Sequence, residues 1–137
     1  MGSMTKVLSI RTRGQGLYEI TDQVSQLVVE SDRNEGLCTV FVRHTSASLT
    51  IQENADPSAR ADLERWLNRL VPENDALYTH TAEGADDMPS HIKAILTDVS
   101  LSIPIMHGEL VLGRWQGIYL WEHRRVGQLR EVVVYCG

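Results

Sequence analysis

No apolar run in the 137 residues approaches the ~20 needed to cross a bilayer, so no membrane partner is expected. Positive charge is also in short supply. Lys and Arg number 13 against 18 Asp and Glu, for a net charge of -5. Such a balance lends no electrostatic support to a nucleic-acid partner. Cysteine is scarce: Cys38 and Cys136 are the two, and neither stands in a C-x-x-C motif. Two thiols in an acidic chain with no signal peptide read as reduced and cytoplasmic, with a single Cys38–Cys136 bridge as the alternative. There is no repeat, no low-complexity tract and no linker that would divide the chain. The H-E-x-x-H metal motif and the G-x-S-x-G nucleophile elbow are both missing.

What remains is an ordinary globular composition, 42% hydrophobic and 23% charged, enough for one domain. The first residues, MGSM, read as a cloning remnant ahead of a native Met4, which leaves 5–137 as the domain. Alternation and β-branched residues predict strands over TKVLSIRT, LYEI, LCTVFVRH and ASLTIQE, and over SLSIPI, ELVLGRW, GIYLWEH and LREVVVYC. Helical spacing predicts one helix after Thr21 as cap. A second is capped by Asp56 with Pro57 at its first position and carries Leu63, Trp66, Leu67 and Leu70. A third, short helix lies in SHIKAILTDV, with Pro89 near its start. The class is α+β, a single compact domain with a mainly antiparallel sheet and two or three helices. Trp121 and Tyr119 fall on one side of their strand, Ile118 and Leu120 on the other. Two apolar faces point to helices on one side and a partner subunit on the other.

Three stretches gather polar chemistry. THTAEGADDMPSHIK holds His80 and His91 around Glu83, Asp86 and Asp87. Imidazoles with carboxylates suit a divalent ion, while Asp87 equally suits a helix start. Asp86 reads as a solvated acid. RHTSASLT offers His44, Ser46 and Ser48, whose hydroxyls and backbone N–H groups suit a phosphate or carboxylate. GRWQGIYLWEHRR offers Trp115 and Gln116 beside Glu122, His123 and Arg124: an aromatic plane, an amide, an acid, a base and a cation. His107, in the turn IPIMHGEL, reads as a surface residue.

Taken in order, HTSASLTIQENADP, THTAEGADDMPSHIK and WQGIYLWEHRR resemble the signature segments of the YjbQ family, also called uncharacterised protein family 0047. The resemblance runs from about Val7 to Val134 and implies a compact α+β domain that forms a homotrimer with sheets packed about a threefold axis. It also implies kinship with a protein described as a secondary thiamine-phosphate synthase. That reaction joins hydroxymethylpyrimidine pyrophosphate to thiazole phosphate and displaces pyrophosphate. Matched to the family motifs are His44, His80, His91, Gln116, Glu122, His123 and Arg124. The resulting expectation has His44, His80 and His91 converging on a divalent metal ion (zinc or magnesium) or a phosphate. His123 or Glu122 acts as acid or base. Ser46, Ser48, Asp87, Gln116 and Arg124 hold a small phosphorylated ligand. The alternatives are a small-molecule or phosphate-binding protein without turnover, and a metal-dependent hydrolase.

Overall fold

The computed structural model describes residues 2–137, and Met1 lies outside the described residues. The chain folds as β1 (Met4–Arg11), β2 (Gly16–Glu19), α1 (Thr21–Ser31), β3 (Gly36–Val42), β4 (Ala47–Glu53) and α2 (Pro57–Leu70). It continues as α3 (Asp87–Leu96), β5 (Ser100–Met106), β6 (Glu109–Leu110), β7 (Gln116–Glu122) and β8 (Leu129–Cys136). A five-stranded sheet runs β1-β8-β3-β5-β6 and a three-stranded sheet runs β2-β7-β4. Every neighbouring pair is antiparallel. The expected class holds: α+β, mainly antiparallel, with three helices.

Period-two patterning decides what each strand buries. Leu101, Ile103 and Ile105 of β5, Val132 and Val134 of β8, and Val40 and Val42 of β3 all turn inward. They meet Ile118 and Leu120 of β7 and the apolar face of α1, Val24, Leu27 and Val28, in one core. The other face of β7 is also covered within the chain. Tyr119 and Trp121 pack with Leu17, Leu67 and Val71 beneath α2. This corrects the expectation that one face of this strand awaits a partner. The face that does stay open is the outside of the larger sheet. There Val7, Phe41 and Tyr135 are 50%, 45% and 41% exposed, and Val7 and Phe41 flank Val133 in register.

The helix ends differ in detail from the sequence expectation. Asp56 caps α2 by accepting from the Ser58 N–H at 2.9 Å, with Pro57 in its first turn. Of the four apolar residues expected to be its core face, only Leu67 is fully buried, while Trp66 and Leu70 are half exposed. Thr21 is not the cap of α1. The cap position is Ile20, and the Thr21 hydroxyl instead donates to Glu19 Oε2 and accepts from the Ile118 N–H. The strand expected over ELVLGRW shrinks to Glu109–Leu110, because His107 and Gly108, both at positive φ, make a tight turn and the chain then leaves the sheet. His107 lies exposed in that turn, as its position suggested. Cys38 and Cys136 are free, buried and paired across β3 and β8. Burial, the facing Cys136 and a hydrogen bond to it push the Cys38 thiol up to about 12. Among the described residues no helix is long and apolar enough to cross a membrane.

Candidate functional site

The site begins with the start of α3. The helix opens at Asp87, two residues before Pro89, whose missing N–H would have had no intrahelical acceptor in the first turn. Asp87 and His91 are therefore one turn apart on a single helix face. The irregular segment after α2 brings His80 to the same place. His80 Nε2 lies 2.7 Å from Asp87 Oδ2, and His91 Nε2 lies 3.3 Å from that oxygen. One ligand atom from each of the three residues falls within 4.8 Å of the others. On its far side, the His91 ring meets the backbone carbonyl of Thr45 through Nδ1 at 3.0 Å. A carbonyl only accepts, so Nδ1 carries the hydrogen and Nε2 turns its remaining valence toward Asp87. A lone pair facing a carboxylate oxygen calls for a cation between them, either a proton on the imidazole or a metal ion.

Arg124 fixes the carboxylates. Its Nε donates to Asp86 Oδ2 at 2.9 Å, Nη1 to Asp87 Oδ1 at 2.8 Å and Nη2 to the Glu83 carbonyl at 2.8 Å. The Arg125 N–H adds a bond to Asp86 Oδ2 at 2.9 Å. Asp86 is thus buried, not the solvated acid its neighbourhood suggested, because a guanidinium and a backbone donor replace its water. Burial pushes the Asp86 carboxyl up, but the bonds from Arg124 and Arg125 outweigh it and hold the group below the ordinary value. Asp87 behaves likewise: burial raises it, and His80, His91 and Arg124 together bring it below. Arg124 leaves one oxygen of Asp87, Oδ2, facing the two histidines.

A second polar group lies inside the domain, at the end of β7. Glu122 is fully buried and paired with Arg130, which donates from Nε to Oε1 at 2.8 Å and from Nη2 to Oε2 at 2.5 Å. Thr12 adds a bond at 2.6 Å and the Arg124 N–H another at 3.1 Å. Arg130 also donates to the Ser46 hydroxyl and carbonyl. His123 Nε2 meets the Ser48 hydroxyl at 2.8 Å, and both residues are buried. Burial, then the charges of Lys93 and Arg130, lower the His123 imidazole to about 3, so it is neutral at pH 7. Arg124 joins the two groups through its backbone on one side and its guanidinium on the other.

The sequence-derived residues therefore divide. His80, His91, Asp87 and Arg124 come together. Glu122, His123, Ser46 and Ser48 form the interior group. His44 joins neither as a ligand: its Nε2 accepts from the Glu131 N–H at 2.8 Å, and burial followed by the charge of Arg130 lowers its pKa. Asp87 takes the place beside His80 and His91 that His44 was expected to fill. Gln116 sits at the opposite end of β7 from Glu122, ~20 Å away along a strand of seven residues, and its Oε1 accepts from the Gly113 N–H. Lys93, Arg130 and Thr12 are functional-site neighbours that no motif in the sequence points to. For Lys93 a signal existed, since Asp86, Ser90 and Lys93 repeat at helical spacing along one face of α3. For Arg130 none did.

The sequence pattern of the family described as UPF0047 protein YjbQ-like matches residues 6–136. A UPF0047 protein of Synechocystis is 51% identical over 95% of this chain and 88% of its own length. The UPF0047 protein YjbQ of Escherichia coli O157:H7 is 43% identical over 93% of each. Among solved structures, an uncharacterized conserved protein of the same family from Clostridium acetobutylicum superimposes with a TM-score of 0.89 at 37% identity. The match covers 96% of this chain and 99% of that one. A YbjQ-like protein of unknown function from Sulfolobus solfataricus shares the fold, with a TM-score of 0.86 at 24% identity over 98% of each chain.

Proposed function

The chain belongs to the UPF0047 YjbQ-like family. We propose that it is a metal-dependent enzyme for a small phosphorylated substrate, with His80, Asp87 and His91 as metal ligands. The observation that carries this is the convergence of His80 Nε2, His91 Nε2 and Asp87 Oδ2. Two imidazoles and a carboxylate suit zinc or a similar borderline ion, with a position left for water or substrate. Magnesium asks for more oxygen ligands than this set offers. The Thr45 carbonyl on His91 Nδ1 and the Arg124 clamp on Asp87 are the outer supports such ligands need.

When bound, the ion supplies Lewis acidity toward a phosphate oxygen or an activated water. The residues do the rest. Arg124 holds Asp87 in one rotamer and adds positive charge beside the site. Thr45 keeps the His91 tautomer that presents Nε2. His80, about half exposed, stands on the solvent side where a substrate enters.

The finer reading is thiamine-phosphate formation from hydroxymethylpyrimidine pyrophosphate and thiazole phosphate, in which developing charge on the departing pyrophosphate has to be stabilised. In this proposal the protein works as a homotrimer, and the exposed outer face of the larger sheet, with Val7, Phe41 and Tyr135, supports that assembly.

Elemental analysis after purification in metal-free buffer and reloading tests the centre. About one equivalent of zinc-class metal per chain is expected, lost in His80→Ala and in Asp87→Asn. Metal-loaded protein is then assayed for thiamine phosphate and for release of phosphate from a panel of phosphorylated metabolites. No retained metal in the unmodified protein removes the reading. Ligand-dependent thermal stabilisation without product would replace the enzyme by a binding protein.

A further inference from the structure

A cleft of about 180 Å³ opens between α2, α3 and the end of β7, apart from the histidine–aspartate cluster. Gln15, Glu64, Asn68, Lys93, Trp121 and His123 line it. On α3, Lys93 shares the face of Asp86 and Ser90, while the metal candidates Asp87 and His91 lie on the adjacent face.

Two of the lining groups are buried and incompletely used. Lys93 is 4% exposed, yet it makes no ion pair among the described residues. Its ammonium spends one of three donors on Asn68 Oδ1, at 2.5 Å. No carboxylate touches it: burial lowers its pKa, the charges of Glu73 and Asp86 act on it only from beyond contact, and two of its donors are left without a protein acceptor. His123 is 1% exposed and bonds Ser48 through Nε2, and its Nδ1 has no hydrogen-bond partner among the described residues. Gln15 holds the His123 carbonyl at 3.1 Å, which fixes the ring's backbone. The floor is apolar, formed by Leu67 and by Trp121, whose ring sits 5.7 Å from that of His123. Across the cleft, Glu64 uses Oε2 on the Leu17 N–H and keeps Oε1 as an acceptor.

We propose that this cleft is a second binding site, for a small oxyanion (a carboxylate or a phosphate) whose other end carries a hydroxyl or amino donor. Lys93 Nζ and His123 Nδ1 hold the oxyanion, the Asn68 amide flanks it, and Glu64 Oε1 receives the donor. Shape and donor count both set the size of the ligand: a few heavy atoms fill the space, so a nucleotide is excluded.

The test is titration of the full chain with inorganic phosphate and with glycolate, followed by amide chemical shifts and calorimetry. Saturable binding of one of the two, at one site per chain, is expected, with shifts at Lys93, Asn68 and His123; which anion binds tells phosphate from carboxylate. Lys93→Met should weaken it about tenfold or more, since it removes a charged hydrogen bond. Asn68→Asp, at an exposed position, places a carboxylate against Lys93 and should weaken it too, which covers the case in which Lys93→Met does not fold. Binding should persist in metal-free His80→Ala, which separates this site from the metal centre. No saturable binding of either anion, or affinity unchanged in the folded variants, overturns the proposal.

Discussion

His123 and Glu122 are neighbours with opposite solutions to burial. Glu122 is met on both of its oxygens by Arg130. His123 gives up its charge and stays neutral. The linkage has a definite sign. The folded pKa, about 3, lies below the unfolded value near 6.5. Below pH 6.5 the unfolded chain binds a proton that the folded chain refuses, so stability is complete above that pH and falls as the pH drops toward 3. The slope from this one residue should approach 1.4 kcal/mol per pH unit, roughly. Urea unfolding from pH 7 to pH 4 measures it, and His123→Gln should flatten the curve. Arg130→Met should cost about 3–5 kcal/mol, since it strands a buried carboxylate, and adding Glu122→Leu should restore much of it. Had Glu122 been a solvated acid, the first change would cost far less. The thiols make a third case. With Cys38 pushed up to about 12, alkylation at pH 8 should wait for unfolding. Rapid modification of native protein would contradict the burial described for both.

At the scale of elements, the strands and α2 were the most legible part of the chain. Alternation in SLSIPI and LREVVVYC reports which side of a strand is buried, and Asp56-Pro57 announces a helix start with its own chemistry. The site was legible in composition but not in arrangement. His80, Asp87 and His91 share one short stretch, and one helical turn relates the last two. His44 looked equivalent to them in residue type and in position at a strand end. Only the tertiary placement of β8, which puts the Glu131 N–H on its ring, removes it from the ligand set. Asp86 differs from its sequence expectation for a similar reason: its partner Arg124 lies 38 positions away. The loop between β7 and β8 makes an element-scale prediction. A Cβ on Gly127 would sit 2.1 Å from the Thr12 carbonyl oxygen. Gly127→Ala should therefore cost about 1–3 kcal/mol through forced backbone movement. It should also loosen Thr12, which bonds Glu122 and Gln128. Thermal unfolding of this variant, with Gly2→Ala as a control in open space, checks it.

Seen whole, the molecule has two sheets, each with an interior strand that comes from residues 116–136. β8 lies between β1 and β3, and β7 lies between β2 and β4. Before residues 116–136 arrive, β1 and β2 have no strand to pair with and the core has no floor. A chain emerging from the ribosome thus holds its first four strands apart until residues 116–136 have emerged, and the sheets close only then. Folding should wait for these two strands, set by long-range pairing rather than by local helix formation. Stalled chains that stop after α3 should be protease-sensitive throughout. Chains that reach residue 136 clear of the exit tunnel should become resistant in a single step.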